Sequence, residues 1–302
     1  MQSVISYHEV RLMQETGETI TFMLSSVAER DTAHIRTWLH DKSKETRQAY
    51  ISDIQRFYEF THKSLQEVTL EDFHYFIDSL YHLGVSSRAR IIASIKSALS
   101  FGLKNGYLKF NVGASVSIPK LENKLAERIL SEQQIAKMFA LEENKRNHAI
   151  LILLYRAGLR VSELCDLTWR NLQEREDAGQ IAVFGKGKKT RHVLLDTFTW
   201  QEIISLKSKK SMPDDYVFQS RKGKGRLDES AIHRVVAGAA KRADINDKVS
   251  PHWMRHAHAT HALERGAPIT LVQDTLGHES METTAKYTHV RPNASSNQFL
   301  KI

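Results

Sequence analysis

The stretch SPHWMRHAHATHALERG, residues 250–266, holds four histidines and an arginine within ten positions. Ser250 as the N-cap, Pro251 at the first helical position and Gly266 past the end predict that it forms one helix. Residues three apart on a helix share a face, so His252 and Arg255 project together. Side chains of these two types can bind a metal, move a proton or hold a phosphate.

A zinc site is the first alternative for this helix. His252 and His256 are four residues apart, as zinc ligands on a helix are. A hydrolytic zinc site also needs a third ligand and a base, and the H-E-x-x-H pattern puts a glutamate beside the first histidine. Here the neighbour is Trp253, and the guanidinium of Arg255 on the same face would repel a divalent cation. We therefore predict that no metal binds here.

Phosphate chemistry is the second alternative. Four further residues of suitable type lie at the ends of predicted elements, namely Arg160 in GLRVSEL, Lys186 in GKGKKT, His278 in LGHES and Tyr287 nine positions later. With His252 and Arg255 they supply two planar forks for phosphate oxygens, two imidazoles, a lysine acid and a phenolic nucleophile. Such a set can stabilise a five-coordinate phosphorus through side chains alone. GKGKKT lacks the frame of a P-loop, which argues against a nucleotide hydrolase.

Composition and charge favour a polyanionic partner. The formal net charge is +8, and basic residues cluster in GKGKKTRH (185–192) and SRKGKGR (220–226). Such clusters displace counterions from a phosphate backbone. A solvated loop is the alternative reading of each cluster. No apolar run approaches the length of a membrane helix, and no signal peptide is evident. With Cys165 as the single cysteine, these features predict a cytoplasmic protein without a membrane partner.

Hydrophobic periodicity divides the chain into two parts. Apolar residues at helical spacing predict helices over 47–60, 71–84 and 88–106. Residues 1–27 are weakly patterned, and no element is predicted there. In the second part, Ser131 and Gln134 predict a capping box, and the short runs 179–184 and 191–195 predict a small antiparallel hairpin. The expected fold is mainly α with a small antiparallel β-sheet.

The order of these motifs resembles the tyrosine recombinase (phage integrase) family, and most closely its Xer-like branch. The matching stretches are YRAGLRVSELCDLTW (155–169), GKGKKTRHVLL (185–195), SPHWMRHAHATHALERGAPITLVQDTLGHES (250–280) and TTAKYTHV (283–290). The resemblance implies a helical core-binding, DNA-binding domain at 28–110, a linker at 111–128 and an α+β catalytic domain at 129–302. Residues 1–27 form an N-terminal extension of unknown role.

The resemblance also implies a role for each matching residue. The implied catalytic set is Arg160, Lys186, His252, Arg255, His278 and Tyr287. Tyr287 would attack a DNA phosphate to give a 3′-phosphotyrosyl link and a free 5′-hydroxyl, and Lys186 would protonate that leaving oxygen. The two arginines would hold the non-bridging oxygens, while the two histidines assist charge and proton movement.

Supporting residues are also implied. Glu163 matches an acidic position behind the site, and His256 is expected behind the phosphate-binding pair. His258 and His261 are expected to pack or to face solvent. Because QEREDAG (173–179) lengthens the approach to the hairpin, the choice of Lys186 over Lys188 or Lys189 stays open. The residues expected to contact DNA phosphates are Lys188, Lys189, Arg191, Arg221, Lys222 and Lys224.

The implied function is site-specific DNA recombination without ATP, a metal or another cofactor. The expected partners are double-stranded DNA recombination sites and other protomers in a tetrameric synapse, with an accessory protein or a sister recombinase left open. Two alternatives use the same residues. One is a type IB topoisomerase-like relaxase acting on one duplex, and the other is a DNA-binding protein of the same fold without turnover.

Overall fold

The computed structural model describes residues 7–13, 19–120, 126–176, 178–184, 190–220, 225–245, 248–278 and 280–287. The chain divides into two compact units, residues 1–122 and 123–302. The division falls inside the predicted linker, 111–128. Each unit has its own buried apolar core, and within the described ranges no helix is long and apolar enough to cross a membrane.

The first unit begins with a hairpin that the sequence did not predict. Strand β1 (Tyr7–Met13) pairs antiparallel with β2 (Thr19–Ser25). A 3₁₀ turn then leads into four helices, α1 (Thr32–Leu39), α2 (Lys44–Thr61), α3 (Leu70–Ser79) and α4 (Val85–Lys104). The expectation of helices between residues 47 and 106 is confirmed. The sequence predicted no element in residues 1–27, because two short strands give only a short alternating pattern.

Aromatic packing fills the core of the first unit. Phe57 on α2 meets Phe73 and Phe76 on α3 edge-on, with ring centroids 5.6 and 4.9 Å apart. Edge-to-face contacts of this kind add to the free energy gained by burying the rings. The predicted aromatic stripes therefore form core, as expected of helices with one apolar face.

A buried carboxylate ties the first unit together at one end. Asp31 is fully buried and accepts hydrogen bonds from the Tyr58 hydroxyl at 2.8 Å and from the Leu65 backbone N–H at 2.7 Å. The Tyr107 hydroxyl also donates to it. Burial, followed by the charge of Asp31, raises the pKa of Tyr58 well above its ordinary value, which keeps the phenol protonated.

The second unit is helical around a small sheet. Its helices are α5 (Glu132–Ala140), α6 (Lys145–Arg156), α7 (Val161–Cys165), α8 (Thr197–Ile204), α9 (Glu229–Arg242), α10 (Pro251–Glu264), α11 (Ile269–Leu276) and α12 (Met281–Ala285). Its strands are β3 (Leu172–Arg175), β4 (Ala178–Phe184) and β5 (Thr190–Leu195), antiparallel in the order β3-β4-β5. The predicted fold class is confirmed. The predicted hairpin corresponds to β4 and β5, and β3 adds a third strand at the edge of the sheet.

Helix α6 is the central element of the second unit, since residues 149–154 are all fully buried. Local sequence signals set the helix ends. Ser131 and Gln134 form the predicted capping box, and Asp228 caps α9 by accepting from the Ser230 N–H at 2.6 Å. Helix α10 starts at Pro251, as predicted. These ends fix the position of α10, which carries His252, Arg255 and His256 of the candidate site.

Candidate active site

Arg255 is the buried centre of the site, with only 2% of its surface exposed. Its Nη1 donates to the Gly158 carbonyl, and its Nη2 donates to the Leu276 carbonyl at 2.5 Å. Gly158 follows α6 and has φ of +60°, a left-handed conformation that favours glycine. Burial, followed by the charge of Arg160, lowers the pKa of Arg255 to about 9, so the guanidinium stays charged at neutral pH.

Arg160 is held at the start of α7 by Glu163. The Glu163 carboxylate accepts from the Arg160 backbone N–H at 2.8 Å and from Arg160 Nη1 at 2.8 Å. Arg160 Nη2 donates to the Gly277 carbonyl at 2.8 Å. The Arg160 side chain is 39% exposed, which leaves one side of its guanidinium open to a ligand. Gly277 itself has φ of +62°, so both arginines bond to the carbonyl of a left-handed glycine.

Glu163 is held in turn by Arg191 at the start of β5. Arg191 Nη1 and Nη2 donate to the two carboxylate oxygens of Glu163 at 2.7 and 2.8 Å, and Arg191 Nε donates to the Thr275 carbonyl at 2.9 Å. Burial alone would raise the pKa of Glu163, but the hydrogen bonds from Arg191 and from the Arg160 backbone lower it to about 2. Glu163 is therefore a carboxylate at neutral pH.

This placement of Arg191 differs from the expectation that it contacts DNA phosphates. Its side chain is only 14% exposed, and each nitrogen of its guanidinium donates to a protein oxygen. The physical reason is the bidentate match between a guanidinium and a carboxylate, which the buried Glu163 provides. Arg191 thus positions Glu163, and through it Arg160.

Tyr287 lies after α12 and is buried, with 7% of its surface exposed. Its ring packs with an apolar cluster from α10 and α11 that includes Ala259, Val272 and Leu276. Its hydroxyl shares a hydrogen bond of 2.7 Å with Nδ1 of His256. Burial raises the pKa of Tyr287, and the charge of Arg255 offsets part of that increase. The hydroxyl therefore carries its proton at neutral pH.

His256 and His278 flank Tyr287, and His252 packs against His256. The His252 and His256 rings meet edge-on with centroids 4.3 Å apart, and the His278 ring is parallel to that of Tyr287 at 6.2 Å. His278 Nδ1 is hydrogen-bonded to Thr284 Oγ1 at 2.9 Å. Burial is the main cause of a lower pKa in all three, to about 3 for His256 and about 4 for His278. All three imidazoles are thus neutral at neutral pH, beside two guanidinium ions.

The structure brings together seven of the residues that the sequence singled out, namely Arg160, Glu163, His252, Arg255, His256, His278 and Tyr287. The remaining predicted residues, apart from Arg191, lie outside the described residues, namely Lys186, Lys188, Lys189, Arg221, Lys222 and Lys224. His258 and His261 pack away from Tyr287, as expected. They bond instead to the backbone carbonyl and the hydroxyl of Tyr155, at 2.7 and 2.9 Å.

The sequence did not reveal that the backbone carbonyls of Gly158, Leu276 and Gly277 accept hydrogen bonds from the two arginines. It also did not reveal that Arg191 is paired with Glu163. The glycines in GLR and LGH were a signal for the two left-handed positions. Among the described residues, no group of three or more His, Cys, Asp or Glu side chains is arranged to hold a metal ion.

The sequence profile described as the Phage integrase family matches residues 128–294, more than half of the chain. The chain belongs to the phage integrase family. Among relatives in the family, the tyrosine recombinase XerC of Anoxybacillus flavithermus is 33% identical over 267 residues, which cover 82% of this chain and 88% of that protein. The XerC of Thermodesulfovibrio yellowstonii is 32% identical over 272 residues, covering 85% and 89%.

Solved structures of phage integrase family members share the fold. A lambda integrase dimer (residues 75–356) bound to a COC′ core site has a TM-score of 0.70 at 16% identity, covering 90% of this chain and 97% of that one. The XerH site-specific recombinase bound to its difH substrate has a TM-score of 0.64 at 19% identity, covering 87% and 86%. The resemblance inferred from the motifs is confirmed, and with it the activity class, a tyrosine-type site-specific recombinase.

Proposed function

We propose that Tyr287 cleaves one strand of a DNA recombination site and holds it as a 3′-phosphotyrosyl intermediate, which a 5′-hydroxyl of another strand then resolves. One observation carries this proposal. The Tyr287 hydroxyl, the Arg255 guanidinium and the partly exposed Arg160 guanidinium come together where the C-terminal ends of α6 and α11 meet helix α10. The family supplies the reaction, and this convergence supplies a nucleophile beside two phosphate-binding forks.

The two arginines would hold the non-bridging oxygens of the scissile phosphate. The hydrogen bonds described above use two of the five N–H groups of each guanidinium, so donors remain for the phosphate. Both guanidiniums are fixed before DNA arrives, by backbone carbonyls and by Glu163. Preorganised donors stabilise the growing charge of the transition state without reorganising during the reaction. His252 and His278, neutral beside these cations, would add hydrogen bonds to the same phosphate.

Lys186 would protonate the 5′-oxygen as it leaves. This assignment rests on the resemblance and on the anchoring of the flanking strand, because Arg191 at the start of β5 bonds to Glu163 beneath the site. The 5′-oxygen of an alcohol is a poor leaving group without a proton, whereas a sulfur in its place leaves as a thiolate. A DNA substrate with a 5′-bridging sulfur should therefore restore cleavage to Lys186→Ala.

The proposed substrates are double-stranded DNA recombination sites, and the proposed partners are further copies of the chain. The lambda integrase neighbour is a dimer bound to a core site, and strand exchange needs two cleaved duplexes. The proposal extends to a tetrameric synapse in the cytoplasm, with residues 28–110 as the core-binding domain and 129–302 as the catalytic domain. Mass photometry of the chain on two DNA sites tests the tetramer. Recombination by the purified chain alone tests the need for an accessory protein or sister recombinase.

The decisive experiment traps the covalent intermediate. Sites are first selected from random duplexes by binding to Tyr287→Phe, and the selected site is then nicked beside the cleavage position so that the short strand diffuses away. We expect a protein–DNA adduct on a denaturing gel, formed in EDTA, present in Tyr216→Phe and absent in Tyr287→Phe. An adduct in Tyr287→Phe would contradict the proposal. Relaxation of plasmid DNA without strand exchange would favour the topoisomerase alternative, and binding without any adduct would favour a binding protein.

A further inference from the structure

We infer that His256, rather than His252 or His278, accepts the phenolic proton of Tyr287 when the tyrosine attacks the phosphate. The inference rests on the proposed function, because it assigns the fate of a proton in the covalent step. That proton must leave, since the phenolic oxygen exchanges its bond to hydrogen for a bond to phosphorus. The resemblance attributes proton movement to His252 and His278, and it implies only that His256 supports the phosphate-binding pair from behind.

The hydrogen bonds around Tyr287 carry the inference. Among the described residues, the hydroxyl of Tyr287 bonds to Nδ1 of His256 at 2.7 Å, a distance at which a proton can pass directly. His278 is stacked on the tyrosine ring, and its Nδ1 is bonded to Thr284 Oγ1. His252 meets the ring of His256 edge-on, and among the described residues no hydrogen bond joins it to the Tyr287 hydroxyl. His256 is the imidazole in contact with the reacting atom.

The surroundings of His256 make its basicity depend on DNA. The titratable groups that face it are His252 and Arg255 on α10, Arg128 before α5, His278 after α11 and Tyr287. Burial and these neighbours lower the pKa of His256 to about 3, so in the free protein it is a neutral but weak base. A phosphate bound by the arginines places a negative charge among the same groups, which raises that pKa. The proton acceptor thus gains strength when the substrate is in place.

The Tyr287 oxygen forms a bond to phosphorus while the bond from phosphorus to the 5′-oxygen breaks. The phenolic proton passes to Nδ1 of His256, whose other proton is on Nε2, and an imidazolium results. Lys186 gives a proton to the 5′-oxygen. When a 5′-hydroxyl attacks in the return step, the phosphotyrosyl bond breaks and His256 returns its proton to the phenolic oxygen.

The test separates proton acceptance from positioning by using His256→Asn. The asparagine amide reaches about as far as Nδ1 and can bond to the hydroxyl, but it does not accept a proton at neutral pH. In single-turnover adduct formation on the nicked site, we expect the rate at pH 7 to fall on the order of 10²–10⁴-fold. The wild-type rate should level off between pH 7 and 9, while the variant rate should rise about tenfold per pH unit as Tyr287 itself ionises. His233→Asn, an exposed position on α9, is the matched control and should behave as wild type.

Other outcomes would overturn the inference. If the rate of adduct formation by His256→Asn is independent of pH between pH 7 and 9, at whatever rate, His256 only positions the hydroxyl. If the rate instead rises with pH in His252→Asn or His278→Asn, and stays constant in His256→Asn, the residue whose variant shows the rise is the proton acceptor. The 5′-bridging sulfur substrate should rescue Lys186→Ala and leave His256→Asn slow, and rescue of His256→Asn would place His256 on the leaving group. His256→Gln serves as a second variant if His256→Asn melts early. Loss of the adduct in the wild type would instead refute the proposed function itself.

Discussion

Replacement of Glu163 by glutamine tests how much the ion pair between Glu163 and Arg191 stabilises the second unit. The glutamine keeps the volume of the side chain and one oxygen acceptor, but it turns an N–H donor toward the guanidinium of Arg191. Glu163 is 7% exposed and Arg191 is 14% exposed, so the unpaired guanidinium would be left in a poorly hydrated place. Breaking a buried ion pair from one side is strongly destabilising for this reason.

The size of the effect follows from the pKa of Glu163. The hydrogen bonds lower it from 4.5 to about 2. At about 1.4 kcal/mol per pKa unit, this difference corresponds to about 3 kcal/mol of folding stability at neutral pH. For a unit of this size, such a loss lowers the melting temperature by about 6–12 °C.

The stabilisation by Glu163 should also depend on pH, in a direction set by its lowered pKa. A carboxyl whose pKa is lower in the folded state stabilises the fold above its unfolded pKa, and that contribution disappears as pH falls through the folded pKa. The difference in unfolding free energy between wild type and Glu163→Gln should therefore be constant from pH 8 to 6 and shrink between pH 4.5 and 2.

Urea titration followed by tryptophan fluorescence measures this difference. Trp169, Trp200 and Trp253 lie in the second unit, so a Trp38→Phe background confines the signal to that unit. Glu202→Gln, which removes a carboxylate bonded to His148 elsewhere in the unit, is a matched control for the loss of a charge. A loss below about 1 kcal/mol at pH 7, or a difference that is unchanged at pH 3, would refute the reasoning.

Substitutions at three further positions, Asp31, Gly179 and Gly277, test the fold. Asp31→Ala leaves buried donors without an acceptor and should lower the unfolding free energy of the first unit by about 2–4 kcal/mol. Asp31→Asn keeps an acceptor and should cause a smaller loss. Hydrogen exchange measures both losses. Gly179→Ala would place a Cβ 2.1 Å from the Trp200 ring and should cost about 1–3 kcal/mol in urea titration, whereas Gly225→Ala, in open space, should be neutral. Gly277→Ala forces φ of +62° on alanine and should cost about 1 kcal/mol; an unchanged urea midpoint would contradict the strain.

Local signals made much of the fold predictable. Ser131 with Gln134, and Pro251 at the start of α10, act through neighbours within one helical turn, so their effect can be read from the sequence. The aromatic stripes of α2 and α3 are likewise set by helical spacing. The hairpin at residues 7–25 escaped prediction because its pairing joins short strands whose alternation is weak.

For the described part of the site, the sequence indicated which residues lie together but not which hydrogen bonds join them. The types and order of Arg160, Arg255 and Tyr287 indicated phosphate chemistry. Arg191 was expected at the DNA because basic residues near a hairpin tip usually face solvent, and only the fold brings Glu163, 28 residues earlier, against it. The contact between His256 and Tyr287 also spans 31 residues and has no signature in the spacing. Side chains that act through distant partners are thus visible only once the fold is known.

Mass spectrometry of the trapped adduct tests the central claim most directly. The adduct is trimmed with nuclease, digested with protease and sequenced by tandem fragmentation. We expect a nucleotide joined through its 3′-phosphate to Tyr287, and a released strand whose 5′-hydroxyl can be phosphorylated by a kinase. A nucleotide on another residue, or a link through a 5′-phosphate, would contradict the account.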